Sequence, residues 1–239
     1  MKDYATAQIR NVVLASHGGA GKTSLGEAML FNSGAINRLG RVDEGNTVSD
    51  FDPEEVRRKI SVNTAVVPWE WETYKVNLLD TPGYADFVGE VKGAIRVSDG
   101  VVVVVCATSG VEVGTELVWQ YADERKLPRL VFVNKMDREN SSFQRVVEQL
   151  REKFPATFLP LQLPVGAQAA FKGVIDLLSM KAYMGDGSKA GDVPAELRDE
   201  AQTLRQQVVD VAAEADDELI VKYLDGVELT ADEVQQGLS

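Results

Sequence analysis

The chain has 239 residues, of which 44% are hydrophobic and 26% are charged, and these proportions exclude a disordered or fibrous protein. No apolar run approaches the roughly 18 residues that a membrane helix requires, and the N-terminal residues lack the apolar centre of a secretory signal. The net charge is −12, and residues 190–239, with 13 acidic and 3 basic side chains, account for −10 of it. This acidic region disfavours contact with nucleic acid, and the single Cys106 excludes an internal disulfide. We therefore expect a cytoplasmic protein that binds neither membranes nor nucleic acid.

The first elements predict a strand, a glycine-rich loop and a helix. Residues 9–16 read IRNVVLAS, with an apolar run over residues 12–15, and predict a buried strand; residues 23–34 predict a helix that ends at Gly34. Residues 37–59 are polar, charged and weakly periodic, so we expect a long mobile loop there.

The elements between residues 60 and 154 alternate between strand and helix. The predicted strands cover residues 60–72, 74–80, 100–108 and 128–135. The predicted helices cover residues 85–99, 114–127 and 141–154, with Ser141 or Ser142 as the cap of the last one. This alternation predicts an α/β fold with a mostly parallel sheet and helices on both faces.

The pattern changes after Phe154. Short strand-like runs rich in Pro and Gly come first, and a helix follows with an apolar face formed by Leu197, Ala201, Leu204, Val208 and Val211. A second helix ends at Gly226, and residues 230–233 read Thr-Ala-Asp-Glu, a capping box that predicts a third. We therefore predict a core domain over residues 1–155 and a separate α+β subdomain over residues 156–239.

The loop after the first strand reads SHGGAGKTS and has the composition of a phosphate-binding loop. Its backbone N–H groups and the N-terminus of the following helix can hold phosphate oxygens. Lys22 can neutralise the β- and γ-phosphates, and the Thr23 hydroxyl can bind Mg²⁺. The nucleotide-binding residues that we predict in this loop are His17, Gly18, Gly19, Ala20, Gly21, Lys22, Thr23 and Ser24.

The third strand ends in Asp80-Thr81-Pro82-Gly83. A carboxylate at a strand end beside a phosphate loop suits a water-mediated contact to Mg²⁺. A glycine allows the backbone to approach the γ-phosphate closely. Asp80 and Gly83 are therefore predicted members of the same site, although the tetrapeptide alone is also typical of a plain turn.

The fifth strand ends in Asn134-Lys135-Met136-Asp137. Ligand sites in open parallel sheets lie at the carboxyl ends of strands. Asp137 can accept hydrogen bonds from the guanine N1–H and amino group, Asn134 can tie this segment to the phosphate loop, and Lys135 can lie along the ring. Adenine would leave Asp137 unpaired, so the segment disfavours an ATP-using enzyme.

In these three motifs, the sequence resembles the G domain of elongation factor G, a translational GTPase. The resemblance extends to DTPGYADFVGEV, to KYLDGVELT and to LPVGAQAAFKGVIDLLSMKAY, which lies in a subdomain that elongation factor G inserts into its G domain. It implies a P-loop GTPase fold that binds GTP or GDP with Mg²⁺, and it places Ser61 where the family has a Mg²⁺-binding Thr. Thr23, Ser61 and Asp80 are thus the expected metal site. The resemblance also implies a ribosome partner, mainly through domains absent from this chain, and a ribosomal stalk protein as a partner of the inserted subdomain.

The sequence departs from the family at positions that bear on catalysis. Gly18 replaces a bulky aliphatic residue, Gly19 replaces an Asp, and Lys59 replaces a Gly. Tyr84 stands where the family has the His that orients the attacking water, and a phenol brings no positive charge to that position. Lys22, Gly83 and Tyr84 are the expected catalytic positions. We therefore expect tight GTP binding with slow hydrolysis, as in a paralogue of elongation factor G, and the alternative is a GTP-binding switch with little or no hydrolysis.

The family's last guanine-binding loop, a Ser-Ala pair after a final strand, does not occur in this chain. We therefore expect the chain to be a fragment of a longer protein, with one loop of the base pocket and one strand of the sheet outside it.

Overall fold

The computed structural model describes residues 2–238. The chain forms two compact units, and the division lies between Lys135 and Met136. This division falls earlier in the chain than the domain boundary that the sequence suggests near residue 156. The extent of the inserted subdomain therefore stays a prediction.

The first unit contains a five-stranded sheet. Its strands are β1 (Ile9–Ala15), β2 (Ala65–Trp71), β3 (Tyr74–Asp80), β4 (Gly100–Cys106) and β5 (Arg129–Asn134). The strand order is β2-β3-β1-β4-β5, and every neighbouring pair is parallel except β2 with β3. The mostly parallel sheet is thus confirmed.

Helices cover both faces of this sheet. The helices of the first unit are α1 (Lys22–Asn32), α2 (Pro53–Arg58), α3 (Val88–Val97) and α4 (Val113–Glu124). Leu14, Leu78 and Val104 share a core with Leu30 of α1 on one face. Val13, Val103 and Val105 point to the other face because side chains alternate along a strand, and they are as fully buried, with α3 packed on β1 and α4 on β4.

The second unit is an α+β structure and includes the helix of residues 143–153, which the sequence analysis placed in the core domain. Its helices are α5 (Phe143–Lys153), α6 (Arg198–Glu214), α7 (Asp217–Leu224) and α8 (Ala231–Gly237), and its antiparallel sheet contains β6 (Gln162–Val165), β7 (Gly173–Asp176), β8 (Lys181–Met184) and β9 (Ala190–Gly191) in that order. Ser142 caps α5 through its side chain, and Thr230 and Glu233 form the predicted capping box of α8.

One predicted element was wrong. The polar segment of residues 37–59, expected to be a long mobile loop, contains α2 and a short 3₁₀ turn over Val42–Glu44. The Asp52 side chain accepts a hydrogen bond from Glu54 N, and Pro53 occupies the first turn, so the start of α2 is capped locally.

Candidate functional site

The phosphate-loop sequence connects β1 to α1, and two of its glycines have positive φ. Gly19 and Gly21 have φ values of 78° and 99°, which only glycine adopts easily. Leu25 N donates the first hydrogen bond of α1, to the Gly21 carbonyl, so the amides of Lys22, Thr23 and Ser24 precede the ladder of the helix. The helix end can therefore hold a negatively charged group.

Lys22 is buried beneath this loop. Its side chain is 6% exposed, and its Nζ donates to Ser16 Oγ at 2.8 Å. Ser16 Oγ in turn donates to the His17 carbonyl at 2.7 Å. Burial lowers the pKa of Lys22 to about 8, although the negative charges of Asp80 and Asp50 oppose this shift. A phosphate group would supply the counter-charge that the buried ammonium lacks.

The predicted metal residues lie together. Thr23 Oγ1 donates to Asp80 Oδ2 at 2.7 Å and lies 3.3 Å from Ser61 Oγ. Asp80 Oδ1 is buried and accepts no hydrogen bond in the described part of the chain. An unpaired carboxylate oxygen beside two hydroxyl groups provides the oxygen ligands that Mg²⁺ prefers. The residues present therefore fit the ion, and Thr23, Ser61 and Asp80 are the residues that would hold it.

Ser49 and Asp50 join this cluster, although the sequence analysis did not place them there. Ser49 Oγ donates to Asp80 Oδ2 at 2.8 Å, and Ser61 Oγ donates to Asp50 Oδ1 at 2.7 Å. Burial raises the pKa of Asp80 to about 6 and also raises the pKa of Asp50. Both carboxylates are thus held in surroundings that favour a bound cation.

Asn134 and Lys135 attach the end of β5 to the phosphate loop. Asn134 Nδ2 donates to the Ala20 carbonyl at 2.9 Å, and Lys135 Nζ donates to the Gly19 carbonyl at 2.7 Å. A Cβ atom on Gly21 would lie 2.4 Å from Asn134 Nδ2, so this approach requires glycine at position 21. The sequence analysis expected this connection for Asn134.

Asp137 follows at the start of the second unit. Its side chain is 69% exposed and lies 4.0 Å from Arg138 Nε. Its acceptor oxygens are therefore open to solvent.

Gly83 and Tyr84 lie against the phosphate loop. A Cβ atom on Gly83 would be 2.6 Å from Lys22 Nζ and 2.7 Å from Gly18 Cα. The Tyr84 side chain is 46% exposed. The three positions expected to take part in catalysis, Lys22, Gly83 and Tyr84, are thus neighbours.

Two buried carboxylates hold the segment of residues 37–64, which contains Ser49, Asp50 and Ser61. Glu27 of α1, which is 2% exposed, accepts from Gly40 N at 2.9 Å and from Val48 N. Glu55 of α2, also 2% exposed, accepts from Val62 N at 2.9 Å and from Asn63 N at 3.0 Å. These anchors explain why a polar sequence forms a defined structure here.

The His17 side chain, at the start of the phosphate loop, lies against the start of α4. Its Nε2 is 3.6 Å from Glu112 Oε1, and a Cβ atom on Gly114 would lie 2.7 Å from His17 Nδ1. His17, which the sequence analysis placed among the nucleotide-binding residues, thus packs against the start of α4. Gly114 and Glu112 were not singled out in the sequence, since nothing local connects residue 17 with residue 112.

Comparisons with known proteins agree with this geometry. Residues 7–235 match the family described as Elongation factor Tu GTP binding domain. The chain belongs to this family of translational GTPase domains. The G domain is also similar to the crystal structure of ttk003000868 from Thermus thermophilus, with a TM-score of 0.89 and 40% sequence identity.

The match to the Thermus protein covers 97% of this chain but 35% of that protein. The chain therefore spans about a third of its relative's length. Along residues 2–238, no helix is both long and apolar enough to cross a membrane.

Proposed function

We propose that this chain is the GTP-binding domain of an elongation factor G-like protein, and that it binds GTP or GDP together with Mg²⁺ in the cytoplasm. The observation that carries the proposal is the attachment of Asn134 and Lys135 to the carbonyls of Ala20 and Gly19, because it joins the base-recognition motif to the phosphate loop. The family membership and the unpaired oxygen of Asp80 beside Thr23 support it.

Base selection is assigned to Asp137. Its two oxygens can accept from the guanine N1–H and amino group, and adenine offers neither donor in that arrangement. The test is a competition between GTP and ATP for binding, with Asp137→Asn as the matched variant. Asn keeps the shape but offers one acceptor and one NH₂ donor, so this variant should lose GTP affinity and bind a nucleotide with an oxygen in place of the guanine amino group. Equal affinity for ATP and GTP in the unmodified protein would contradict the guanine assignment.

The phosphates and the metal are held by different groups. The loop amides and Lys22 bind phosphate oxygens, while Thr23, Ser61 and Asp80 hold Mg²⁺, which stabilises the charge that develops during phosphoryl transfer. Gly83 leaves its backbone close enough to Lys22 Nζ to sense the terminal phosphate.

Hydrolysis is proposed to be slow. Tyr84 occupies the position of the family's water-orienting His, and its hydroxyl has no hydrogen-bond partner among residues 2–238. Orienting groups contribute orders of magnitude to phosphoryl transfer. Single-turnover GTP cleavage should therefore be slow with and without ribosomes, and Tyr84→His should accelerate it. Cleavage as fast as that of a relative with His at this position would contradict the proposal.

The alternative function is a conformational switch that holds GTP without cleaving it. The exposed phenol of Tyr84 favours this alternative. The two functions differ in one measurement, because a switch would show no conversion of bound GTP to GDP over hours with ribosomes present.

The ribosome is the proposed partner, with a ribosomal stalk protein as a further partner of the inserted subdomain. The net charge of −10 on residues 190–239 supports a protein rather than a nucleic acid contact for that region. Deletion of residues 190–239 should abolish binding to the stalk protein. Unchanged stalk binding by the deletion variant would exclude this region as the contact.

A further inference from the structure

The hydroxyl-bearing edge of the Tyr84 ring lies directly above the backbone of Gly18. A Cβ atom on Gly18 would lie 3.1 Å from Tyr84 Cζ and 3.3 Å from both Cε atoms. These distances are shorter than the roughly 3.5–4.0 Å separation at which carbon atoms attract one another most strongly. Even the smallest side chain at position 18 would therefore press against the ring.

The backbone before Tyr84 already lies against the loop, so a contact between a side chain at position 18 and the ring is relieved by movement of the ring itself. Gly83, the residue before Tyr84, already approaches the loop so closely that a Cβ atom on it would lie 2.7 Å from Gly18 Cα and 2.8 Å from Gly18 N. The Tyr84 side chain is 46% exposed, so its ring is free to move away from the loop. A larger residue at position 18 would therefore push the ring outwards, away from the loop.

Gly18 is not needed for its backbone freedom. It is absent from the glycines with positive φ, whereas its neighbour Gly19 has a φ of 78°, and a Cβ atom added to Gly19 would meet no atom within 4 Å. The cost of a side chain at position 18 is thus the contact with Tyr84, while the cost at position 19 is backbone strain. This contrast supplies a matched control within the same loop.

We propose that Gly18 and Tyr84 act as one unit, in which the missing side chain at position 18 sets the phenol ring beside the predicted terminal phosphate. Gly18 is a positioning residue that acts through Tyr84. This inference rests on the proposed function, because it concerns the site at which GTP is held. If positions 18 and 84 acted independently, the factors by which their substitutions change a rate would multiply. If they act as one unit, the effect of a substitution at one position depends on the residue at the other.

The same geometry bears on His at position 84. An imidazole attached to the same Cβ atom is shorter than a phenol, so it leaves the space above Gly18 unfilled. No side chain at position 18 then packs against the imidazole on that side. Tyr84→His alone therefore recovers only part of the rate, and Gly18→Val, which is harmful beside Tyr84, becomes favourable beside His. The sign of the effect of Gly18→Val thus depends on residue 84.

The test is a double-mutant cycle with Gly18→Val in three backgrounds: unmodified, Tyr84→Ala and Tyr84→His. The first readout is the denaturant midpoint of the nucleotide-free protein, which reports packing alone. The others are the dissociation rate of a fluorescent GTP analogue and the single-turnover rate of GTP cleavage. Gly19→Ala is the control, and its effect should be the same in all backgrounds.

We expect Gly18→Val to speed nucleotide release and to slow cleavage by about tenfold when Tyr84 is present, and by less than about twofold in Tyr84→Ala, as for contacting residues in a cycle. In Tyr84→His, the same substitution should increase cleavage. Equal factors in every background would overturn the proposal. The proposal would also be overturned if the denaturant midpoints showed coupling between positions 18 and 84 while Gly18→Val changed the cleavage rate by the same factor in every background. The two residues would then contact each other without positioning the phenol for cleavage.

Failure of the proposed function gives a different result. If the protein binds no GTP in any background, both the proposed function and the positioning role of Gly18 fall. The denaturant midpoints would still reveal whether the two residues contact each other. If GTP binds but cleavage is uncoupled, only the inference about Gly18 and Tyr84 fails.

Discussion

The buried carboxylate of Glu55 gives the sharpest test of how the 37–64 segment is held. Its Oε1 accepts from the amides of Val62 and Asn63 at 2.9 and 3.0 Å, and its Oε2 accepts from Asp52 N at 3.2 Å. The substitution Glu55→Gln keeps the shape of the side chain but turns one acceptor oxygen into a donor. In the best orientation the oxygen stays opposite Val62 and Asn63, and the new NH₂ group faces the Asp52 amide.

The magnitude follows from these three bonds. Two charge-assisted hydrogen bonds become neutral ones, at a loss of about 1 kcal/mol each, and one backbone N–H loses its acceptor, at about 1–2 kcal/mol. Removing a charge from a buried position returns about 1–2 kcal/mol, so the net loss is about 2 kcal/mol. Local opening of the 59–64 region should therefore be about 30-fold more frequent.

Hydrogen exchange of the Val62 and Asn63 amides measures this opening directly. Glu54→Gln is the matched control, because the Glu54 side chain is 40% exposed, lies on the same helix and pairs with Arg57 and Arg58 instead of with backbone amides of residues 59–64. This control should leave the two amides unchanged. Mg²⁺ affinity should fall in Glu55→Gln alone, since Ser61 lies in the loosened region. Equal exchange rates in the two variants would refute the assignment of Glu55 as the anchor.

Three further predictions concern the base motif, Lys22 and the second unit. Asn134→Ala removes the hydrogen bonds to the Ala20 carbonyl and to Lys135 N, so GDP affinity should fall about tenfold in a fluorescence titration. Unchanged affinity would contradict the role of Asn134 in connecting the base motif to the phosphate loop. Because phosphate binds the ammonium form of Lys22, whose pKa is lowered to about 8, affinity should fall about tenfold per pH unit above that value. Lys22→Arg stays charged, and its profile should be flat from about pH 7 to 9. A falling profile in Lys22→Arg too would assign the pH effect to another group. Thr230→Ala removes the cap of α8 and should destabilise the second unit by about 1 kcal/mol in denaturant, whereas an unchanged midpoint would show that the cap contributes nothing.

The sequence predicted the elements whose signals are local. A continuous apolar strand, a glycine loop and a helix follow one another within residues 9–34, so β1, the loop and α1 could be located from composition and spacing alone. The same holds for Asn134 and Lys135, because a strand end identifies its own edge of the sheet. The start of α2 was missed although its signal is also local. Asp52, Pro53 and Glu55 have the spacing of a helix cap, but the charged composition around them favoured a loop.

Contacts between distant residues could not be predicted in this way. Glu27 and Val48 are 21 positions apart, and Glu27 looks like any surface residue of an amphipathic helix until the structure shows it buried. Ser49 and Asp50 reach Asp80 and Ser61 only because that segment folds back onto the end of β3. The space above Gly18 belongs to the same class, since it depends on where Tyr84 lies.

The double contact of Glu27 turns the chain between Gly40 and Val48 into a closed loop, both ends of which are fastened to one carboxylate of α1. A change confined to that loop should leave Ser49, Asp50 and Ser61 in place, because both ends of the loop stay bonded to the same carboxylate. Asp43 is exposed on the short 3₁₀ turn and has no part in the cluster of Thr23, Ser49, Asp50, Ser61 and Asp80. A fluorescent dye attached at position 43 would move with the segment as it opens or closes, and it would leave Thr23, Ser61 and Asp80 unchanged. The loop is therefore suited to a dye that reports movement of the segment, and not to substitutions that test ligand binding.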